Sequence, residues 1–156
     1  MSAPQQGWQA RLAELGIRLP AVAAPVASYV PAVRSGSLVF TSGQLPFVDG
    51  ALHRTGLVGT DVTAEDATAC ARICALNALA AVDALVGLDS VTRVVKVVGF
   101  VAGTADFTGQ PAVINGASGL LGEVFEAAGG HARSAVGVAA LPLGAPVEVE
   151  IIVEVR

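Results

Sequence analysis

The rhythm of apolar and polar positions is clearest at the end of the chain. Val147, Val149, Ile151, Val153 and Val155 alternate with Glu148, Glu150, Ile152 and Glu154, the two-residue period of a strand with one face in a core and the other bearing carboxylates. The longest pattern is helical and runs over residues 63–87. It opens at Thr63-Ala64-Glu65-Asp66, a capping-box-like start with Asp in place of the usual Glu or Gln. Ala67, Cys70, Cys74, Leu76, Leu79, Val82 and Leu85 then form one broad apolar face, and Gly87 supplies the stop.

The remaining segments fall around these two. Residues 91–101 are dominated by β-branched side chains and predict a strand. A second long helix fits residues 111–128, with Pro111 at its start and Gly129-Gly130 at its end. Residues 134–139 predict another strand. Earlier in the chain, strands are expected near residues 29–34 and 37–42, followed by a turn at Val48-Asp49-Gly50-Ala51. Before a Pro-rich connector at residues 20–31, Trp8, Leu12 and Leu15 mark a short amphipathic helix over residues 6–16. The expected order is a short helix and then β-β-α-β-α-β-β, with both long helices on one face of a single mixed sheet. Residues 1–24 are read as an N-terminal extension and residues 25–156 as the domain.

Composition sharpens this picture. A length of 156 residues suits one domain with a real core. Hydrophobic residues make up 53% of the chain and charged ones 14%, an apolar surplus that predicts contact with another subunit. Aromatics are only 4%, so packing must rest on small side chains that let backbones approach closely. The apolar run at residues 21–33 is interrupted by Pro25, Ser28, Tyr29 and Pro31, short of the roughly 20 residues a membrane span needs. Residues 1–10 lack the basic and apolar regions of a secretory signal, which predicts a cytoplasmic protein. Cys70 and Cys74, four apart on the helix, read as packed reduced thiols. With net charge −4 and Lys96 as its one lysine, the chain offers no basic stripe for a nucleic acid.

Familiar catalytic signatures such as a P-loop, H-E-x-x-H or G-x-S-x-G do not occur, and His53 and His131 do not make up a metal centre. What stands out is Arg133, which follows Gly129-Gly130-His131-Ala132 and opens an apolar strand. Its fork-shaped guanidinium suits a carboxylate substrate, and equally an ion pair or a solvated strand end. Glu148 is the natural second group, to orient water or Arg133, or else one of three carboxylates on a solvated strand face. Tyr29, Ser42 and Asn115 are each, taken singly, ordinary polar residues.

Together these positions form a recognisable pattern. Phe40-Thr41-Ser42-Gly43-Gln44-Leu45-Pro46, then Ala132-Arg133-Ser134-Ala135-Val136 and Leu141-Pro142, resemble the RidA/YjgF superfamily, also labelled the L-PSP endoribonuclease family. The resemblance runs from about Pro25 to the C-terminus and is closest to a longer branch of about 150 residues. It implies a chorismate-mutase-like α+β fold, a homotrimer with sites between subunits, and cofactor-free, metal-free hydrolysis of reactive 2-imino or enamine acids to 2-keto acids and ammonia. Arg133 matches the arginine that holds the substrate carboxylate and Glu148 the acidic residue that positions water. Tyr29, Ser42, Gly43, Asn115 and Ala135 match residues lining the pocket. Ala135 and Gly137 are smaller than their usual counterparts, a cysteine and a larger or acidic residue. A non-catalytic trimer that binds small carboxylates, as a regulator or chaperone-like factor, is the alternative, and the ribonuclease implied by the second family label is disfavoured by charge.

Overall fold

The computed structural model describes residues 7–25 and 27–156, so Gln6 of the first expected helix and Val26 of the connector lie outside it. The described residues form a mixed α+β domain. Its five-stranded sheet has the order β1-β2-β7-β5-β6, with β1 Ala32–Ser35, β2 Leu38–Thr41, β5 Val91–Ala102, β6 Ala132–Val138 and β7 Val147–Val155. All neighbours are antiparallel except β5 and β6, which run parallel and are joined by a crossover through a helix. The helices are α1 Trp8–Glu14, α2 Ala64–Val86 and α3 Gln110–Phe125. β3 Phe47–Val48 and β4 Ala51–Leu52 form a separate hairpin at the expected turn, where Asp49 and Gly50 both take positive φ, 51° and 84°.

Local chemistry explains the long elements. Thr63 caps α2 by accepting from the Asp66 amide at 3.1 Å, and Gly87 ends it with φ of 78°. By length and composition α2 is apolar enough to cross a membrane, which the interrupted run at residues 21–33 is not. Its position explains that character. Ala67, Cys70, Ala71, Cys74, Ala75, Ala78, Leu79 and Val82 are buried against the sheet and α3. Leu85, expected on that face, is 45% exposed, and Leu76 is half-buried. Both cysteines are buried and free.

On β7 the alternation is realised in full: the five odd-numbered residues are buried under the helices, and Glu148, Glu150, Ile152 and Glu154 lie half-buried on the opposite, open face. The N-terminal helix is packed onto the domain. Trp8 meets Phe125 edge to face at 5.2 Å, its Nε1 donates to Val91 O at 2.8 Å, and Leu12 is buried.

Glycines set the closeness of α3. A Cβ on Gly116 would collide with the carbonyl oxygen of Thr68 on α2, and one on Gly99 of β5 would collide with Ile114 of α3. By contrast, Gly119 on the same helix has nothing within 4 Å of an added Cβ. Gly116→Ala is therefore expected to destabilise the chain, the overpacking cost of about 1–3 kcal/mol outweighing the better helix propensity of alanine, while Gly119→Ala stabilises it by up to about 1 kcal/mol. Chemical denaturation of the two variants beside wild type checks the opposite signs.

Candidate functional site

The residues singled out in the sequence separate into two groups. Arg133, at the start of β6, stands beside Val97 in the parallel ladder and so shares the sheet face that α3 covers. Its Nη1 donates to Asn115 Oδ1 at 2.8 Å and to Ser118 Oγ at 3.3 Å, and its Nη2 donates to Pro111 O at 3.3 Å. All three acceptors belong to α3 and all are neutral. Among the described residues, the ion pairs involve Arg11, Arg54 and Arg72, and Arg133 is in none. A guanidinium aligned by neutral acceptors, without a counter-charge, is arranged to receive an anion.

The network continues beyond Arg133. His131 Nδ1 lies 2.6 Å from Gly129 O, which can only accept, so Nδ1 carries a proton and, in the neutral imidazole, Nε2 is the acceptor. Ser118 Oγ, 2.9 Å from Nε2, donates its proton to that neutral ring and turns a lone pair to Arg133. Sequence reading weighed His131 only as a metal ligand and missed Ser118. The usable signal was helical spacing, because Pro111, Asn115 and Ser118 recur at intervals of four and three on one side of α3.

Tyr29, Ser42, Gly43 and Glu148 form the second group. Ser42 is fixed by its amide to Pro31 O at 2.8 Å and by its hydroxyl to Val30 O at 2.6 Å. Two residues on, Gln44 and Val149 exchange backbone bonds of 2.8 and 3.0 Å, which presses Gly43 against β7. A Cβ on Gly43 would meet the Glu148 carboxylate, which would have to swing aside, so glycine lets that carboxylate lie directly against the turn. Tyr29 precedes β1 and lines a small recess with Gly43 and Gln44.

Glu148 stands opposite Phe100 of β5, on the open face of the sheet. Within one chain it therefore does not orient Arg133, contrary to one of its two sequence-based roles: the sheet separates them, and Asn115, Ser118 and Pro111 do that work. Burial, and then the neighbouring Glu150, push the Glu148 carboxyl above the usual glutamate range. Ala135 lies on the Arg133 side of β6, packed against the core. No group of three or more His, Cys, Asp or Glu among the described residues is placed to hold a metal ion.

Comparison with known proteins bears on these two groups. Residues 9–155 match the family described as "YjgF/chorismate_mutase-like, putative endoribonuclease". Protein TCP17 of Trypanosoma cruzi is 49% identical over 149 residues, 94% of this chain and 93% of that protein. The crystal structure of Atu1372 from Agrobacterium tumefaciens superposes with a TM-score of 0.86 at 46% identity, covering 95% of this chain and 91% of that one. Escherichia coli TdcF with bound serine superposes with a TM-score of 0.64 at 29% identity, covering 87% of this chain and 93% of that one.

Two expectations follow from the geometry. Ser118→Ala frees one side of the Arg133 guanidinium, so its Nη rotation measured by nitrogen-15 NMR becomes faster than in wild type, whereas Ser118→Thr leaves it slow. Because the carboxyl pKa of Glu148 is raised on folding, the native chain binds its proton more tightly than the unfolded chain does. The stabilisation is then full below the ordinary glutamate pKa and is lost as pH rises through the raised value. Glu148→Gln is expected to melt at a higher temperature than wild type at pH 7, with the gap closing in acid, as thermal unfolding across pH measures.

Proposed function

The chain belongs to the YjgF/chorismate-mutase-like family, and from that premise we propose that it hydrolyses small 2-imino or enamine acids to 2-keto acids and ammonia. The observation that carries this reading is the Arg133 guanidinium, held by three neutral acceptors and paired with no carboxylate among the described residues. Serine bound to TdcF supports a ligand with a carboxylate beside a nitrogen-bearing carbon.

The chemistry asks little of the protein. In a protonated 2-imino acid the carbon is already electrophilic; water adds to it while the C=N electrons move to nitrogen. The nitrogen takes up one proton of the water; the C–N bond then breaks, ammonia leaves, and the carbonyl forms as the remaining hydroxyl proton passes to solvent, where it is taken up by the ammonia. Nothing is oxidised or reduced, and no cofactor enters. Arg133 anchors the carboxylate and so places the carbon, while a base must take the water proton and return it. Glu148, with its affinity for a proton raised, suits that exchange.

Glu148 and Arg133 lie on opposite faces of one sheet, so their cooperation requires a second copy of the chain. In this proposal the protein is a homotrimer, with Tyr29, Ser42, Gly43 and Glu148 of one copy facing Arg133, Asn115 and Ala135 of the next. The open sheet face supports assembly. Val33 and Val136 on it are 50% and 45% exposed, and Phe40, Val98, Phe100 and Ile152 join them without a covering helix. Buried thiols at Cys70 and Cys74 fit the reducing cytoplasm. A ribonuclease role is disfavoured, since Glu148, Glu150 and Glu154 outnumber Arg93 and Lys96 on that face and the net charge is −4.

An amino-acid oxidase that generates 2-imino acids in situ tests the reading. Wild type is expected to speed keto-acid formation, and Arg133→Ala to lower kcat/KM by roughly a hundredfold or more through loss of a charge-assisted bidentate contact. A wild-type rate equal to buffer sinks the hydrolase reading. If 2-oxo acids nonetheless bind through Arg133, the chain is a carboxylate-binding protein.

A further inference from the structure

Between α1 and β1 the chain passes as a strap beside the β3–β4 hairpin. Leu19 packs its start onto the core, and among the described residues none from 20 to 25 makes a hydrogen bond. These six residues form one side of a cavity of about 480 Å³, a volume in the range of small-molecule sites. Phe47, Asp49 and Gly50 of the hairpin and Asn77 of α2 form the other side. Pro20, Val22, Pro25 and Phe47 give it apolar surface.

Asn77 is the unusual residue of this wall, a polar side chain in the middle of an apolar helix and only 2% exposed. Its Nδ2 donates to Leu45 O at 3.0 Å and to Phe47 O at 3.1 Å. Carbonyl oxygens only accept, so the amide cannot be turned round, and Oδ1 is the atom left for the cavity. No donor among the described residues reaches Oδ1, and it is not sealed in the core, where every described buried side-chain nitrogen and oxygen has a partner. Asp49 is the one charged residue on the wall. The polar side-chain groups offered to an occupant are therefore an amide oxygen and a carboxylate, both acceptors. This is the opposite of the Arg133 site, which offers a cation.

We propose that the cavity between the strap, the β3–β4 hairpin and Asn77 binds a small organic amine, a protonated primary ammonium on an apolar or aromatic body. The ammonium donates to Asn77 Oδ1 with the Asp49 carboxylate as its counter-charge, and the body lies against Phe47 and the strap prolines. A carboxylic acid would meet only acceptors and like charge there. Neither Arg133 nor any of its three acceptors lines the cavity. Ala23, Ala24, Pro25 and Phe47 also wall the recess that Tyr29 and Gly43 line, so an occupant touches that wall from its other side. Amine binding is independent of the hydrolase reading and does not require it.

An NMR titration of the full chain with 2-phenylethylamine at neutral pH tests this. Nuclear Overhauser contacts are expected from the phenyl protons to the Phe47 ring and the Val22 methyls, with a shift of the Asn77 side-chain amide and none of the Arg133 guanidinium. 3-Phenylpropanoate, similar in size and opposite in charge, is expected to bind the cavity roughly tenfold more weakly or worse, since it forfeits a hydrogen bond between a charged donor and Asn77. Asp49→Asn keeps the hairpin, because asparagine takes up the positive φ of 51° readily, and is expected to weaken amine binding about threefold, the scale of an exposed ion pair. Any one of four results overturns the site: no binding of the amine, contacts to residues outside the cavity, a carboxylate bound as tightly as the amine, or an Asp49→Asn affinity equal to that of wild type. None of these four bears on imine hydrolysis, which is read separately through Arg133.

Discussion

The proposed reaction site depends on how closely α3 lies against α2 and β5. Gly116 and Gly99 leave no room for a Cβ, and the helix settles onto the Thr68 carbonyl on one side while Ile114 fills the space above β5 on the other. That contact fixes the height of the helix above the sheet. It thereby fixes where Asn115, Ser118 and Pro111 meet Arg133, and where Gln110 meets Gly137. A chain with few aromatics has little bulk to hold layers together, so stability comes from short backbone separations.

The sheet divides the chemistry. On its helix-covered side is a cation aligned by neutral partners; on its open side is a half-buried carboxylate that holds its proton more tightly than usual. Strand alternation enforces this division, since neighbours on one strand point to opposite faces and paired residues on adjacent strands point to the same one. Val97 carries Arg133 to the helix side and Phe100 carries Glu148 to the other. In the proposed reaction both groups act together only when copies associate, so the site and the assembly are proposed as a single feature.

The parts legible in the sequence were those with a strong local signal. The Thr63 cap, the Gly87 stop and the alternation of β7 each appear where the pattern put them. β1 begins at Ala32, three residues later than the expected strand start, because residues 27–29 form a bend ahead of the ladder. α1 seemed detachable in sequence, but Trp8 and Phe125 meet through a contact that spans most of the chain and leaves no local trace. Ser118 was legible only through its helical spacing with Asn115, and its link to His131 was not: a serine in a helix and a histidine before a strand become a network only after the crossover brings α3 over β6. The face occupied by Glu148 was legible from alternation, but its separation from Arg133 required the register of β5 against both neighbours.

The most direct measurement of the central claim is a crystal structure of the protein with 2-oxobutanoate bound, which reports the anchor and the assembly together. The ligand carboxylate is expected within hydrogen-bonding distance of both Arg133 Nη atoms, in a cleft completed by the Glu148 strand of a neighbouring copy. A guanidinium already paired with a protein carboxylate, and the ligand bound elsewhere or not at all, would contradict it.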